Sequence, residues 1–334
     1  MNKPILGILI GDGAGVGPEI IAKLAVQNFF AAYCRPVIIG DVRILERAFG
    51  VIGSSVPLQM VSDIDQIDWN GNLAVLDQHD QDPQKVVFGQ LTIEAGKANL
   101  HGLKLGVELY KAKKIEGFCF APFNKAGMKE AGCELESEHH YLAQLFNHTE
   151  PFGEINVLGD LWTTRTTSHI PIAEVSKNLT VDRILRAVRL ADASLKNSGI
   201  AKPRLALAAL NPHAGEHGLC GREEIDVIEP AIAKAREMGI DASGPYPSDI
   251  TFIKAFRGEF DGVVTMYHDQ GQIALKLRGF DEGITIAGGL PAPIVTCAHG
   301  TAYDIAGKGI VKTSAFENAV KMASRMAVHL QKQA

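Results

Sequence analysis

The sequence predicts an α/β protein, and three observations carry that prediction. Apolar β-prone runs alternate with helical periodicity from the first residues, a glycine-rich turn joins the first strand to the first helix, and three later strands each run into a histidine followed by turn residues. The first strand is expected over residues 4–10. The turn Gly11-Asp12-Gly13-Ala14-Gly15-Val16-Gly17-Pro18-Glu19 follows, then a helix over 18–32 with Pro18 suited to its first turn. Further strands are expected over 36–40 and 73–76. A long helix is expected over 92–114, where Lys111, Lys113 and Lys114 suit the negative end of its dipole, and the sheet resumes over 117–121. Later helices are expected over 181–196 with Thr180 as N-cap, over 223–238 with Gly239 as the stop, and over 315–333; strands over 261–266 and 284–287 lie between them.

With 334 residues, 46% of them hydrophobic, the chain can bury a large core and is expected to divide into two lobes. No repeat, low-complexity tract or Pro/Ser-rich linker interrupts it, so the lobes must share a continuous sheet region or be joined by crossing strands. A formal charge of −5 gives no general attraction for nucleic acid or an anionic membrane, and no basic block reverses that. The apolar start, 5–10, is too short to span a bilayer and lacks the ordered zones of a signal peptide, so a cytoplasmic protein is expected. Cys34, Cys119, Cys133, Cys220 and Cys297 are odd in number and contain no CxxC pair, which argues against disulfides or a thiolate metal site.

The first turn invites a dinucleotide-binding Rossmann reading, because glycines let backbone approach a phosphate at a helix N-terminus. The spacing does not fit: Val16 and Pro18 stand three residues after Gly13 and Gly15 where GxGxxG needs glycine. A purely structural turn accounts for the glycines and the proline equally well, and leaves Asp12 and Glu19 unexplained.

The chemistry is expected at the three histidines. Residues 161–167 lead into Ser168-His169-Ile170-Pro171, residues 205–210 into Asn211-Pro212-His213-Ala214-Gly215-Glu216, and residues 263–267 into His268-Asp269-Gln270-Gly271. One histidine at a strand end is usually a hydrogen-bonded loop residue. Three delivered beyond the carboxyl ends of separate strands, where ligands gather in open α/β sheets, describe a catalytic metal site with an open fourth position. Imidazole ligands favour zinc, with cobalt, nickel, manganese or magnesium as alternatives. His79, His101, His148, His217 and His329 lack the strand-then-turn setting and are assigned no role.

Taken in order, Gly11 to Glu19, Ala121-Pro122-Phe123-Asn124-Lys125, Ser168 to Pro171, Asn211 to Glu216, Met266 to Gly271 and His299-Gly300-Thr301-Ala302 resemble the motifs of the PdxA family, the 4-hydroxythreonine-4-phosphate dehydrogenases. The resemblance spans nearly the whole chain, and its NPHAGE and YHDQG segments are the most specific. It implies an isocitrate/isopropylmalate dehydrogenase-like fold of two α/β/α lobes, taken here as 1–128 with 305–334, and 129–304. It also implies a homodimer with a shared active site, in which His169, His213 and His268 bind a divalent metal and the last comes from the partner subunit. NAD or NADP is the implied oxidant; the cofactor-binding residues are not assigned. The implied reaction oxidises a secondary alcohol β to a carboxylate, and the β-keto acid then loses carbon dioxide.

Asp249 and Asp269 match polar active-site positions of the family and are candidates to accept a proton or orient a bound water; capping helices near 250 and 270 is the simpler alternative. Lys125, with Asn124, is a candidate to hold substrate oxygens, or these two simply begin a helix. The substrate-binding candidates are Glu138, His139, Lys276, Thr285 and Ile294. At these positions the chain departs from the family: Ser137-Glu138-His139-His140 replaces GHTE, Thr285 and Ile294 replace the phosphate-binding Asn and Arg, and only Lys276 is retained. Each lost charge-assisted hydrogen bond is worth about 1.5–3 kcal/mol. Binding of the usual phosphate is therefore expected to suffer severely unless His139, His140 and Arg165 rebuild an anion site, and the expected substrates are 4-hydroxythreonine-4-phosphate itself or a related sugar acid, with or without phosphate. The alternatives are a cis-dihydrodiol carboxylate dehydrogenase of aromatic-acid degradation and, from another class, a phosphate acyltransferase or an inactive metal-binding homologue.

Overall fold

The computed structural model describes residues 3–279 and 281–333, and the chain divides into two units, Met1–Thr149 with Leu290–Ala334, and Glu150–Gly289. The divisions differ from those expected at 128/129 and 304/305. The cause is local packing: the helices that follow residue 124 lie against the long helix before them, and the strand near 295 pairs with the one near 119.

Numbered in chain order, the first unit has β1 (Ile5–Leu9), β2 (Arg35–Gly40), β3 (Leu58–Val61), β4 (Leu73–Asp77), β5 (Gly117–Phe120) and β12 (Ile294–Cys297), in the spatial order β3-β4-β2-β1-β5-β12 and all parallel. Its helices are α1 (Gly17–Val26), α2 (Phe30–Tyr33), α3 (Val42–Ile52), α4 (Ile93–Lys111), α5 (Lys125–Glu130), α6 (Glu138–Phe146) and α12 (Ser314–Gln331). β5 and β12 are buried at every residue, as parallel strands covered on both faces must be. Thr92 caps α4 through its hydroxyl, which accepts from the Ala95 amide. The helix expected over 18–32 is broken after Val26, because Asn28 turns into the left-handed region and α2 restarts beyond it.

The second unit has β6 (Gly153–Leu158), β7 (Leu161–Arg165), β8 (Arg204–Ala208), β9 (Asp241–Tyr246), β10 (Gly262–Thr265) and β11 (Ile284–Gly288), in the order β11-β6-β7-β10-β8-β9. β11, β6 and β7 run antiparallel to their neighbours in turn, whereas β7, β10, β8 and β9 are parallel. The helices are α7 (Val175–Asn178), α8 (Val181–Asn197), α9 (Glu229–Glu237), α10 (Ser248–Phe256) and α11 (His268–Gly279). The two faces of β10 explain the layering. Gly262 leaves room for Leu195 of α8, and the next residue, Val263, faces the opposite way into a cluster with Phe252, Ala255 and Leu275 from α10 and α11. Each fully buried Phe or Leu there contributes roughly 1.5–3 kcal/mol.

The helix expected over 223–238 opens with a π-helical turn, Glu224–Ile228, before α9. Pro230 has no N–H to donate back to the residue 226 carbonyl, so the wider turn takes up the break. β9 was not foreseen, since its Gly244-Pro245 pair reads as a turn; as an edge strand it tolerates the missing amide. No helix among the described residues is long and apolar enough to cross a membrane.

Candidate active site

The three histidines leave the sheet of the second unit at one edge. β7, β10 and β8 are neighbours and parallel, so their carboxyl ends stand side by side about 4.8 Å apart. His169 lies just beyond β7, His268 opens α11 just beyond β10, and His213 lies just beyond β8. The ring centres of His169 and His268 are 5.6 Å apart. With metal–nitrogen bonds of about 2.0–2.1 Å, two imidazoles on one tetrahedral ion place their ring centres about 5 Å apart, so this pair fits a shared ion. His268 Nδ1 and Asp269 Oδ1 are 2.7 Å apart. A carboxylate there holds the proton on Nδ1 and leaves Nε2 as the outward ligand.

Within one chain the three imidazoles do not all close to ligand spacing. Among the described residues, the group whose ligand atoms lie within 4.8 Å of one another is Asp41, Asp77 and His79, in the first unit. Three of its four carboxylate oxygens already accept hydrogen bonds. The Asp41 carboxylate accepts from the Arg43 guanidinium and the Arg43 and Gln81 amides, and Asp77 Oδ1 accepts from the amides of Val42 and His79.

Two of the three histidines sit on strained backbone. His169 has φ +48°, and His213 begins a run, His213, Ala214, Gly215, Glu216 and His217, with every φ between +44° and +79°. Four of those five carry a Cβ, and each pays about 1–2 kcal/mol for the left-handed conformation. Such strain persists only where neighbouring contacts over-determine it. For His169 the contact is Arg165: its Nε donates to Ser168 Oγ (2.9 Å), Nη1 donates to Asn156 Oδ1 (3.0 Å), and Nη2 donates to Glu154. The guanidinium is buried and committed to these partners, so Arg165 is not the spare cation of a rebuilt anion site.

Asp249 and Asp269 lie inside the first turns of α10 and α11 and cap neither helix through their side chains. The two helix starts are tied together, since Gln270 Nε2 donates to Ser248 Oγ (2.8 Å) and both Gln270 and Ser248 donate to the Ala209 carbonyl just beyond β8. Asp249 and Asp269 therefore flank a knot that joins the ends of the strands bearing His213 and His268.

The remaining candidates are spread over both units. In the first, Asn124 caps α5, exposing Lys125, whose Nζ is 3.6 Å from Glu138 Oε2 at the start of α6. His139 is buried with Nδ1 4.0 Å from Glu138 Oε1, and Ser137 Oγ meets His140 Nδ1 at 2.9 Å. Ile294 is fully buried in β12 opposite Phe118 and presents nothing to a ligand. In the second unit, Lys276 is exposed on α11, one turn beyond Gln272. Thr285 is buried in β11, and its hydroxyl accepts from Asn156 Nδ2 (3.1 Å).

The glycine turn of the first unit uses up its own amides. Those of Asp12, Gly13, Ala14, Gly15 and Val16 bond to the Pro122 carbonyl, Gln81 Oε1, Asp12 Oδ1, the Asp12 carbonyl and the Thr301 carbonyl. These five amides are engaged within the protein and are not offered to a pyrophosphate, in line with the spacing argument against a Rossmann site. A Cβ at Gly17 would sit 2.6 Å from the Ile10 carbonyl oxygen, so packing alone demands that glycine. Asp12 is buried and its carboxyl is pushed up by desolvation, against the opposing hydrogen bonds from Tyr303 (2.6 Å) and the Ala14 amide. Sequence reasoning passed over Tyr303, Gln81 and Glu224. Tyr303 directly follows the His299 to Ala302 motif, which was the one available signal.

The family model described as pyridoxal phosphate biosynthetic protein PdxA matches residues 32–323. The chain is 36% identical over 326 residues to the D-threonate 4-phosphate dehydrogenase of Cupriavidus necator, covering 97% of each protein. It matches the structure of a 4-hydroxythreonine-4-phosphate dehydrogenase from Klebsiella pneumoniae with a TM-score of 0.86 and 31% identity, over 97% of this chain and 98% of that one. A beta-decarboxylating dehydrogenase from Thermococcus kodakarensis, at 14% identity and a TM-score of 0.50 over 99% of this chain and 84% of that one, shares the fold alone. The fold is thus of the isocitrate/isopropylmalate dehydrogenase type, and the chain belongs to the PdxA family, and with it to the oxidoreductases that act on a CH–OH group.

Proposed function

We propose that this protein is a metal- and NAD(P)-dependent dehydrogenase that oxidises the alcohol β to the carboxylate of a phosphorylated four-carbon hydroxy acid, of the D-threonate 4-phosphate kind, with loss of carbon dioxide. The observation that carries the reading is the delivery of His169, His268 and His213 from three adjacent parallel strands, with the first two rings 5.6 Å apart. His169, His268 and His213 would hold a divalent ion, zinc by ligand preference, which would supply Lewis-acid stabilisation of the substrate oxygen, and NAD(P) would serve as the hydride acceptor. Asp269 keeps His268 Nε2 turned outward. Asp249, placed by the Ser248–Gln270 knot, takes the hydroxyl proton. Lys276 retains the one cation the family motif supplies for phosphate.

The purified protein is expected to reduce NAD or NADP with D-threonate 4-phosphate and to release one carbon dioxide per turnover. Chelation should stop the reaction, and zinc, cobalt or manganese should restore it. Turnover confined to unphosphorylated hydroxy acids or cis-diol carboxylates would overturn the phosphate assignment.

A homodimer that completes the site is part of this reading. The second unit exposes Ile250 and Ile253 on α10 and Ile273 and Leu277 on α11, the last 84% exposed, at the three- and four-residue spacings that make one helix face. The single-chain gap in the imidazole set also supports a contribution from a second copy.

Glu138 is the carboxylate that departs from the family motif, and it stands beside Lys125. Replacing it by glutamine removes negative charge where a dianion must approach. Glu138→Gln is expected to lower KM for the phosphorylated substrate about three- to tenfold with little change in kcat, an effect on the order of 1 kcal/mol. A higher KM would show instead that Glu138 accepts hydrogen bonds from the substrate.

A further inference from the structure

We infer that Glu224 is the positioning residue for His213: its buried carboxylate tethers the chain just ahead of the left-handed run and so holds the imidazole in ligand geometry. The inference rests on the proposed function, in which His213 binds the metal.

Glu224 is 1% exposed and begins the π-helical turn. Its Oε1 accepts from the backbone amides of Leu210 and Asn211, both at 2.8 Å, and its Oε2 accepts from Asn211 Nδ2 at 2.9 Å. One carboxylate thus fixes two successive amides and the side chain of the residue that leads into Pro212-His213. It also packs against the far side of the run, where Gly215 is the only buried residue of the five and a Cβ there would lie 2.7 Å from Glu224 Oε2. The second anchor works the same way: a Cβ at Gly221 would sit 2.4 Å from Asn211 Nδ2. His213 itself is exposed, so the loop that carries it has to be held from beneath. A carboxylate, with two oxygens that only accept, suits three converging N–H donors; an amide side chain would turn its own NH2 toward Asn211. The π-helical turn places the residue, as such turns often do beside functional sites.

The test measures cobalt(II) binding by calorimetry and by its visible ligand-field spectrum, together with amide exchange over residues 210–217, in the full-length protein and in Glu224→Ala, Glu224→Gln and His213→Ala. Glu224→Ala is expected to bind cobalt about 10–100-fold more weakly, as loss of a residue that orients a metal ligand does, and to exchange these amides faster while its melting transition stays cooperative. Glu224→Gln, which keeps one acceptor oxygen, is expected to recover part of the affinity. Unchanged affinity in a folded Glu224→Ala overturns the inference, whether or not the amides exchange faster. Should that variant not fold, Glu224→Gln decides by the same two readouts, and unchanged cobalt affinity there overturns the inference. If His213→Ala binds cobalt as the unaltered protein does, the metal reading itself fails and this inference falls with it. If His213→Ala loses binding and the Glu224 variants do not, only the positioning claim is wrong.

Discussion

Alanine at His213 or at His268 is expected to lower kcat/KM by at least about 1000-fold, on the order of 4 kcal/mol, because either change opens the ion's ligand set. The folded state should be nearly unaffected, since His213 is exposed on its loop and His268 is half-exposed at the start of α11. The two inactive variants should nevertheless rescue each other. If one imidazole of each site comes from a second copy, a mixed dimer of His213→Ala and His268→Ala regains one complete site, whichever of the two residues crosses the interface. Random re-pairing of equal amounts then restores about a quarter of the original activity per protomer. The single-chain geometry motivates this design, because His169 and His268 approach ligand spacing together and the full set does not close. Mixing the variants after mild dissociation and assaying NAD(P)H formation checks it. No recovery, with mixed dimers demonstrated by mass, would show that His213 and His268 of each site come from the same chain.

The largest expected effect on stability is at Glu19, far from the histidines in sequence. Glu19 is fully buried in α1, and its two oxygens accept from the amides of Gly307 (2.5 Å) and Gly309 (2.8 Å). Both glycines have positive φ, +80° and +66°, in a stretch with no strand or helix of its own to hold it. Glu19→Ala leaves two donors without their acceptor at about 1–3 kcal/mol each, so a loss of about 3 kcal/mol is expected. In a unit of this size that lowers the melting temperature by about 6–12 °C, measurable by calorimetry. Glu19→Gln keeps one acceptor and should cost about half as much. An unchanged melting temperature in Glu19→Ala would show that water or a rearranged loop satisfies both amides.

Some of this was readable in the chain alone, for a physical reason. Hydrophobic periodicity, caps and turn residues act over a few positions, so β1, β5, β10, α4 and α8 with its cap Thr180 follow from local sequence. The run of apolar residues into His169, His213 and His268 is likewise local, and it marked the edge of the sheet where the chemistry is proposed. That Glu19 and Asp12 exceed what a structural turn requires was also visible, but their purpose was not. Their partners are Gly307, Gly309 and Tyr303, nearly 300 residues away, and no local pattern encodes such a contact.

Tertiary structure alone decided the rest. Strand order set β7, β10 and β8 side by side although β8 and β10 are separated by β9 in sequence, and that order brings the three histidines to one edge. Packing withdrew Ile294 into the core and committed Thr285 and Arg165 to Asn156 and Glu154, which alignment by motif cannot reveal. It also supplied Glu224, a residue type that from sequence reads as one more charge on a helix; burial and three converging donors are what set it apart. Periodicity records which side of an element is apolar, whereas the identity of the neighbour across the gap exists only once the chain has folded.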